Sequence, residues 1–313
     1  MSPLLSGQKI LVTGVTGQIA FPIARRLASE NEVWGLARYS RVGDRERVVD
    51  AGITPVVCNL GDGDFTDVPS DFTHVVHLAA DLSPGWDYDS AIRANAEGTG
   101  LLLQHCRTAR AALVMSTHSV YRPQEDPMYV FTEESALGEC NSTHTPTYSV
   151  SKISQEATAR LAARAFDLPV TIARMNASYG PNGGLPAMHV DAIADGRPVV
   201  TRWDPCMYSP IFEDDIVGQV DAMLDAASTP ATIVNWGGDE AVSVQEWAAH
   251  AAGLMGIEAT VEVSPIDGTL RGSIADTTRR ASITGPCAVD WREGVRRTVA
   301  QRHPDKLAEP VHS

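Results

Sequence analysis

The sequence is poor in the features that would tie it to a disulfide framework, a metal, a membrane or a nucleic acid. Its five cysteines (Cys58, Cys106, Cys140, Cys206 and Cys287) are scattered, odd in number and never spaced as C-x-x-C. That pattern reads as reduced thiols of a cytoplasmic protein and excludes a four-cysteine zinc. The nine histidines form no H-x-x-x-H pair, so no metal is expected. Positive charge is scarce: 25 Lys and Arg stand against 39 Asp and Glu, a formal net charge of −14. So acidic a surface repels phosphate backbones and anionic lipids, which excludes nucleic acid and membrane partners. Residues 1–9 lack the basic flank and long apolar run of a secretory signal. The longest apolar runs are far too short to span a bilayer.

What is present fits one large α/β unit with a smaller lobe: 313 residues, 43% apolar and 20% charged. Short β-branched runs alternate with helix-like stretches through the first part of the chain. Strands are expected at Lys9–Thr13, Glu32–Leu36, Ile53–Cys58, His74–Leu78, Ala111–Ser116 and Val170–Arg174. Helices are expected at about Gly17–Ser29, Tyr88–Arg107 and Tyr148–Phe166. This alternation predicts a Rossmann-type doubly wound parallel sheet covered on both faces. After Gly180-Pro181 the rhythm breaks. Helices near Ala187–Ala194 and Glu213–Ala226, a strand at Thr232–Asn235, and a helix over Val242–Met255 behind a Ser243/Glu246 capping box are expected. The tail after His303 reads as loose. The expected division is a dinucleotide-binding domain over 1–180, with 208–235 returning to it, and a mainly substrate-binding lobe over 181–313.

The first strand runs into Thr13-Gly14-Val15-Thr16-Gly17-Gln18-Ile19-Ala20. Small residues there permit a tight turn and close approach of backbone to a pyrophosphate, and the following helix offers free N–H groups to the anion. Gly14, Thr16, Gly17, Gln18 and Ile19 are therefore candidate cofactor contacts. An NAD site wants a carboxylate about 20 residues on, but the second strand ends Ala37-Arg38. Arg38 suits a 2′-phosphate, so NADP(H) is favoured and NAD(H) remains possible. The plain alternative is a solvated basic turn.

Tyr148 and Lys152 are four apart on one helix face. A free phenol ionises near pH 10, too high for proton transfer at neutrality; a neighbouring ammonium is expected to lower it. Thr117, at the end of the fifth strand, would orient a substrate oxygen.

In company these residues resemble the extended short-chain dehydrogenase/reductase family, the group with the sugar-nucleotide epimerases and dehydratases. The resemblance spans nearly the whole chain. It rests on Thr13–Ala20, Val76–Ala80, Asn95–Thr99, Ser116–Tyr121, Tyr148–Lys152 and Arg174–Pro181. It implies Tyr148 as acid/base, Lys152 on the nicotinamide ribose, Thr117 as the catalytic hydroxyl and Asn95 in support. It also implies that Asn59 and Leu60 lie near adenine and that Leu78, Ala79 and Ala80 line the cofactor groove. Relatives commonly pair their two long helices, so a homodimer through Tyr88–Arg107 and Tyr148–Phe166 is expected, with Ala157, Leu161 and Ala162 at the contact. Asn95 could instead merely satisfy a helix. His118 is either a substrate contact or a polar wall residue.

The pattern departs where relatives hold a nucleotide diphosphate. Ala177 stands at the family's Asn, with Asn176 adjacent, and Tyr208 replaces an Arg. Arg202 or Arg271 would have to compensate. Thr117, His118, Tyr148, Asn176 and Tyr208 are the candidate substrate contacts. These residues point first to an NADP(H)-dependent oxidoreductase acting on a carbonyl or alcohol of a small molecule. The alternative is a nucleotide-sugar epimerase or dehydratase that retains NAD(P). A third reading, a non-catalytic NAD(P)-sensing protein, is opposed by the intact Thr117, Tyr148 and Lys152.

Overall fold

The computed structural model describes residues 5–138, 140–141 and 145–307. Seven parallel strands make the central sheet: β1 (Lys9–Thr13), β2 (Glu32–Ala37), β3 (Thr54–Val57), β4 (His74–His77), β5 (Ala111–Thr117), β7 (Val170–Met175) and β13 (Thr232–Trp236). The two-residue strand β6 (Val130–Phe131) lies outside that sheet. The spatial order is β13-β7-β5-β4-β1-β2-β3. The order reverses between β1 and β4, and ligands of such sheets bind in the crevice at that switch point, beyond the carboxyl ends of the strands. The register sets Thr13 beside His77 there.

Both faces are covered, which is why the strands are apolar runs rather than alternations. On one face lie α1 (Ala20–Leu27) and α7 (Glu213–Asp225), with Ile23, Leu27, Val220 and Met223 in the core beneath. The other face carries α4 (Gly98–His105) and α5 (Tyr148–Phe166), with Leu102, Leu103, Ala159 and Ala163 turned inward. Helix α2 (Asp44–Asp50) connects β2 to β3 and has no counterpart in the sequence expectation. The single long helix expected from Tyr88 to Arg107 is divided. It runs as α3 (Tyr88–Ile92), a π-helical turn at Arg93–Glu97, and then α4. Helix α5 keeps its expected ends, but Ala162 is packed into the core and is not available to a dimer contact, whereas Leu161 is 66% exposed.

Beyond Gly180 the chain builds three small sheets. Strand β8 (Ser178–Gly180) lies between β9 (Gly183–Gly184) and β12 (Ile211–Phe212), and β10 (Val199–Thr201) pairs with β15 (Val261–Val263). Strands β11 (Met207–Tyr208), β14 (Val242–Ser243) and β16 (Gly272–Ala275) join β6 in the third. Helices α6 (Leu185–Ala194), α8 (Val244–Leu254) and α10 (Trp291–Arg302) close a second core around Trp247 and Trp291, and α9 (Thr278–Thr284) packs beside α7. The predicted helix over Val242–Met255 thus yields its first two residues to β14. Helices α9 and α10 were not foreseen. The chain past His303 makes a 3₁₀ turn at Pro304–Lys306, and the rest of the predicted loose tail, 308–313, lies outside the described residues. Among the described residues all five cysteines are free thiols, no helix is long and apolar enough to cross a membrane, and no His, Cys, Asp and Glu grouping suits a metal.

Candidate active site

The phosphate turn is shaped by contact. Gly14 has φ +68°, and a Cβ there would meet the Ala79 Cα at 2.8 Å, so the turn and the chain leaving β4 touch. Thr13 locks them together, since its hydroxyl accepts from the N–H groups of Leu78 and Ala79, each at 3.1 Å. The proton of that hydroxyl is left for His77 Nδ1 at 2.7 Å, which places the ring proton on Nε2, facing the Thr99 hydroxyl at 2.7 Å. Burial holds this imidazole near a pKa of about 3, and it is neutral. Helix α1 begins behind Ile19 with no side-chain cap and no acidic residue in its first turn. An uncapped first turn facing a glycine cradle fits an anionic pyrophosphate.

The other expected cofactor positions surround this cradle. Gly17 and Gln18 are exposed and Thr16 and Ile19 half-buried. The Gln18 side chain reaches Gly183 of β9, where an added Cβ would lie 2.5 Å from Oε1. Arg38 is exposed at the end of β2, without a hydrogen bond or ion pair among the described residues, and Tyr39 turns away at φ 48°. Arg47 on α2 was missed by the sequence reading: it donates to the Thr16 carbonyl at 2.8 Å and lies over the Phe21 ring at 4.2 Å. Its only signal was a basic residue on an unforeseen helix. Asn59 is exposed and donates to Asp62 at 3.0 Å; Leu60 is half-buried.

Strand β5 ends at Thr117 and α5 begins at Tyr148, and the Thr117 hydroxyl favours ionisation of the Tyr148 phenol. Burial nevertheless dominates and pushes that phenol up to about 12. The expected acidification by Lys152 is absent in the protein alone. The Lys152 ammonium, 6.0 Å from the Tyr148 ring centre, is fixed on the Met115 carbonyl at 2.6 Å. Burial lowers it to about 7, against the upward pull of Glu156. A lysine so readily neutralised is a weak source of positive charge.

Asn95, within the π-helical turn, is buried with both amide atoms engaged. Oδ1 accepts from Asp81 N at 2.6 Å, and Nδ2 donates to the Asp81 carbonyl and to Ser151 Oγ at 3.1 and 3.0 Å. It thus ties the chain after β4 to the first turn of α5. Directly behind lies a buried ion pair. Arg174 holds Glu156 in two bonds of 2.9 and 2.8 Å, and Ser116 donates to the same carboxylate at 2.6 Å. Arg174 also reaches the Tyr121 hydroxyl at 3.0 Å, which in turn donates to Asn235 at 2.6 Å. Glu156 could have been found from its place four residues past Lys152.

His118 is buried. Its Nδ1 lies 3.2 Å from Ser273 Oγ, and its Nε2 has no hydrogen-bond partner among the described residues. Burial and the nearby Arg174 lower it to about 3. Asn176 is engaged in structure: Nδ2 donates to the Ser273 carbonyl at 2.6 Å, and Oδ1 accepts from Ser209 N at 2.9 Å. Tyr208 is half-buried and packs on Trp247 at 5.6 Å. Of the two cations expected to compensate, Arg271 is engaged, paired with Glu125 at 2.6 Å and lying over the Trp203 ring at 4.7 Å.

Residues 10–235 match the sequence family described as the NAD dependent epimerase/dehydratase family. A Rhizobium meliloti protein named "Probable UDP-glucuronate 4-epimerase" is 27% identical over 212 residues, covering 61% of this chain and 60% of that protein. The chain therefore spans less than two thirds of that relative. The structure of UDP-glucuronic acid 4-epimerase from Bacillus cereus, in complex with UDP-glucuronic acid and NAD, superposes with a TM-score of 0.82 at 19% identity, covering 95% of this chain and 99% of that one. UDP-N-acetylglucosamine 4-epimerase from Methanobrevibacter ruminantium M1, in complex with UDP-N-acetylmuramic acid, superposes with a TM-score of 0.83 at 19% identity over 96% of this chain and 100% of that one. At such identities the superpositions establish a shared fold.

Proposed function

The chain belongs to the NAD-dependent epimerase/dehydratase family, and on that premise we propose that it oxidises and re-reduces a secondary alcohol carbon of a sugar-like substrate while retaining its nicotinamide cofactor. The observation that carries this reading is the Thr117 hydroxyl beside the Tyr148 phenol, with Lys152 behind them at the sheet's carboxyl edge. Names of relatives that interconvert UDP-sugars favour the epimerase mode over release of reduced cofactor. Gly14, Gly17 and the uncapped start of α1 would hold the pyrophosphate, and Lys152 the nicotinamide ribose. When bound, the nicotinamide supplies a hydride acceptor and donor. Tyr148 takes the proton from the substrate hydroxyl and returns it; Thr117 orients the same oxygen; Asn95, through Ser151, positions the turn from which Tyr148 projects. The test is incubation with UDP-glucuronic acid, followed by proton NMR and nicotinamide absorbance together. A new sugar isomer without net absorbance change is expected; reduced cofactor accumulating with an oxidised product would overturn the epimerase mode.

A second reading, an oxidoreductase that exchanges NADP(H), is favoured by one feature: Ala177 and Tyr208 stand where relatives carry phosphate-binding Asn and Arg. On the cofactor itself, the solved relative holds NAD, whereas this chain presents Arg38 and no carboxylate after Ala37. We propose that NADP(H) binds more tightly than NAD(H). Arg38→Ala should weaken NADP(H) roughly ten- to a hundredfold and leave NAD(H) unchanged, the scale of one charge-assisted bond. Titration showing equal NADP(H) affinity in both proteins would reduce Arg38 to a solvated turn residue. A homodimer through the outer faces of α4 and α5, where Leu101 and Leu161 are exposed, is likewise proposed; a monomeric mass by solution scattering at micromolar concentration would refute it.

A further inference from the structure

Before the chain enters the lobe it folds back onto the phosphate turn. Strands β8 and β9 pair antiparallel, Tyr179 with Gly184 and Gly180 with Gly183, and Pro181 and Asn182 make the turn between them. The Gln18 side chain, from the exposed residue just before Ile19, reaches Gly183, whose φ is +131°. A Cβ at Gly183 would lie 2.5 Å from Gln18 Oε1, so both the backbone angle and the contact call for glycine. Ile19 and Pro22 on one side and Ile216 and Val217 on the other line the crevice at this hairpin.

The hairpin is tied from two directions. From the lobe, Arg302 of α10 donates to the Pro181 carbonyl at 2.7 Å while its other donors hold Asp191. From the sheet, Glu213 opens α7, and its carboxylate accepts from Asn182 Nδ2 at 3.0 Å and from Asn182 N at 3.4 Å. The same carboxylate packs on Gly180, where a Cβ would collide with it. Glu213 is half-buried and has no ion pair among the described residues. Sheltering a carboxylate without a cation is costly, and here its hydrogen bonds go to the hairpin turn alone.

We propose that the β8–β9 hairpin is a clasp on the cofactor cradle, with Gln18 as its seat and Glu213 as the positioning residue that holds it down, and that the closed clasp slows escape of the bound dinucleotide. The inference rests on the retained-cofactor reading and names the residues that enforce retention. A pyrophosphate on the N–H groups at the start of α1 lies next to Gln18. Opening the clasp breaks the Glu213–Asn182 bonds, which places the control in the release rate. Charge alone acts in the opposite direction: a carboxylate near the cradle repels a bound dinucleotide, so its removal would slow release. The two accounts differ in sign.

The experiment measures release from the loaded full chain. Wild type and variants are loaded with NADH, and separately with NADPH, then chased with excess oxidised cofactor; the change in reduced-nicotinamide fluorescence gives the off-rate. Glu213→Ala should release at least about tenfold faster and Asn182→Ala at least about threefold faster, the scale of one or two hydrogen bonds. Glu213→Gln, whose amide oxygen can still accept from Asn182, should fall between Glu213→Ala and wild type. Ser243→Ala destabilises the fold away from the cradle and should stay within about twofold of wild type, which separates lost stability from a lost clasp. Association rates should change less than release rates. Equal or slower release by Glu213→Ala, or by Asn182→Ala where Glu213→Ala does not fold, overturns the clasp; so does equal acceleration in Ser243→Ala. Wild type that exchanges its cofactor at every turnover sinks the retained-cofactor reading, and still faster release by Glu213→Ala then leaves the clasp standing. Wild type and Glu213→Ala holding cofactor equally through many turnovers sink only the clasp.

Discussion

Two buried polar networks flank Lys152, and they are built on opposite principles. Gln155 enters one and Glu156 the other, adjacent residues of α5 serving different sides. The first network, Thr13, His77, Thr99 and Gln155, is neutral throughout and lies under the cofactor cradle. The second, Ser116, Glu156, Arg174, Tyr121 and Asn235, is ionic and ties β5, β7 and β13 together behind the substrate side. A neutral network adds no field where a pyrophosphate must sit. The ionic one places a carboxylate where it supports the charge on Lys152. Location beneath the site, rather than burial, separates them, since both are shielded from water.

Acid should strike the buried neutral imidazoles hardest, His77 inside the neutral network and His118 beside the ionic one. His77 and His118 are both held near 3, below the ordinary value of 6.5. The unfolded chain therefore binds more protons between those limits, and stability is lost as pH falls from 6.5 toward 3. Two pH units below 6.5, the pair should cost on the order of 5 kcal/mol. Most carboxylates are still charged there, so the imidazoles dominate. His189, lowered to about 4 by burial, adds a similar loss; denaturant midpoints at neutral and mildly acid pH check this, and His77→Gln should remove about a third of it. A flat profile would mean that His77 is not buried as the neutral tautomer.

The ionic side should break by substitution. Glu156→Gln strands Arg174 without its counter-charge, and a buried pair broken on one side costs roughly 3–5 kcal/mol. It also removes the group that raises Lys152, so the lysine should titrate lower still and the alkaline limb of the pH–rate profile should move down with it. Unfolding free energy near wild type would imply water around Arg174.

Tyr148→Phe should leave both networks intact. It removes the proposed proton carrier, so turnover should fall at least roughly 10²-fold, the usual scale for general acid/base catalysis, with cofactor affinity nearly unchanged. Turnover near wild type would take Tyr148 out of the mechanism and leave the two networks without a common purpose.

Much of this was legible from local pattern. Strand Lys9–Thr13 and helix Tyr148–Phe166 agree with expectation at both ends, because a run of β-branched residues or a long helical period announces itself. Helix α10 was missed, although Trp291, Val295 and Val299 recur at helical spacing behind Asp290, because the arginines between them mask the stripe. What sequence could not supply is partnership across the sheet. Asn235 meets Tyr121 only because β13 sits beside β7 and β7 beside β5. Likewise, that Arg271 is taken up within the fold depends on where Glu125 lies. The expected effect of Lys152 on Tyr148 failed for a related reason: spacing gives proximity, whereas the protonation of both groups is governed by burial.

The smallest effect is expected where neither network reaches. Helix α8 closes its own start with a full capping box: Glu246 N donates to Ser243 Oγ at 3.1 Å, and Ser243 N donates back to the Glu246 carboxylate at 2.8 Å. Helix α1 has no cap at all. Both helices have the same unsatisfied first-turn N–H groups, so the difference lies in what is meant to satisfy them, a serine in one and a bound anion in the other. Ser243→Ala should therefore lower the unfolding free energy by about 1 kcal/mol and leave cofactor affinity and turnover untouched. Cofactor, by binding only the folded chain, should raise the melting temperatures of wild type and Ser243→Ala by the same increment. A smaller increment in the mutant would mean that α8 communicates with the cradle, and that the separation between a self-satisfied lobe and a ligand-satisfied sheet is incomplete.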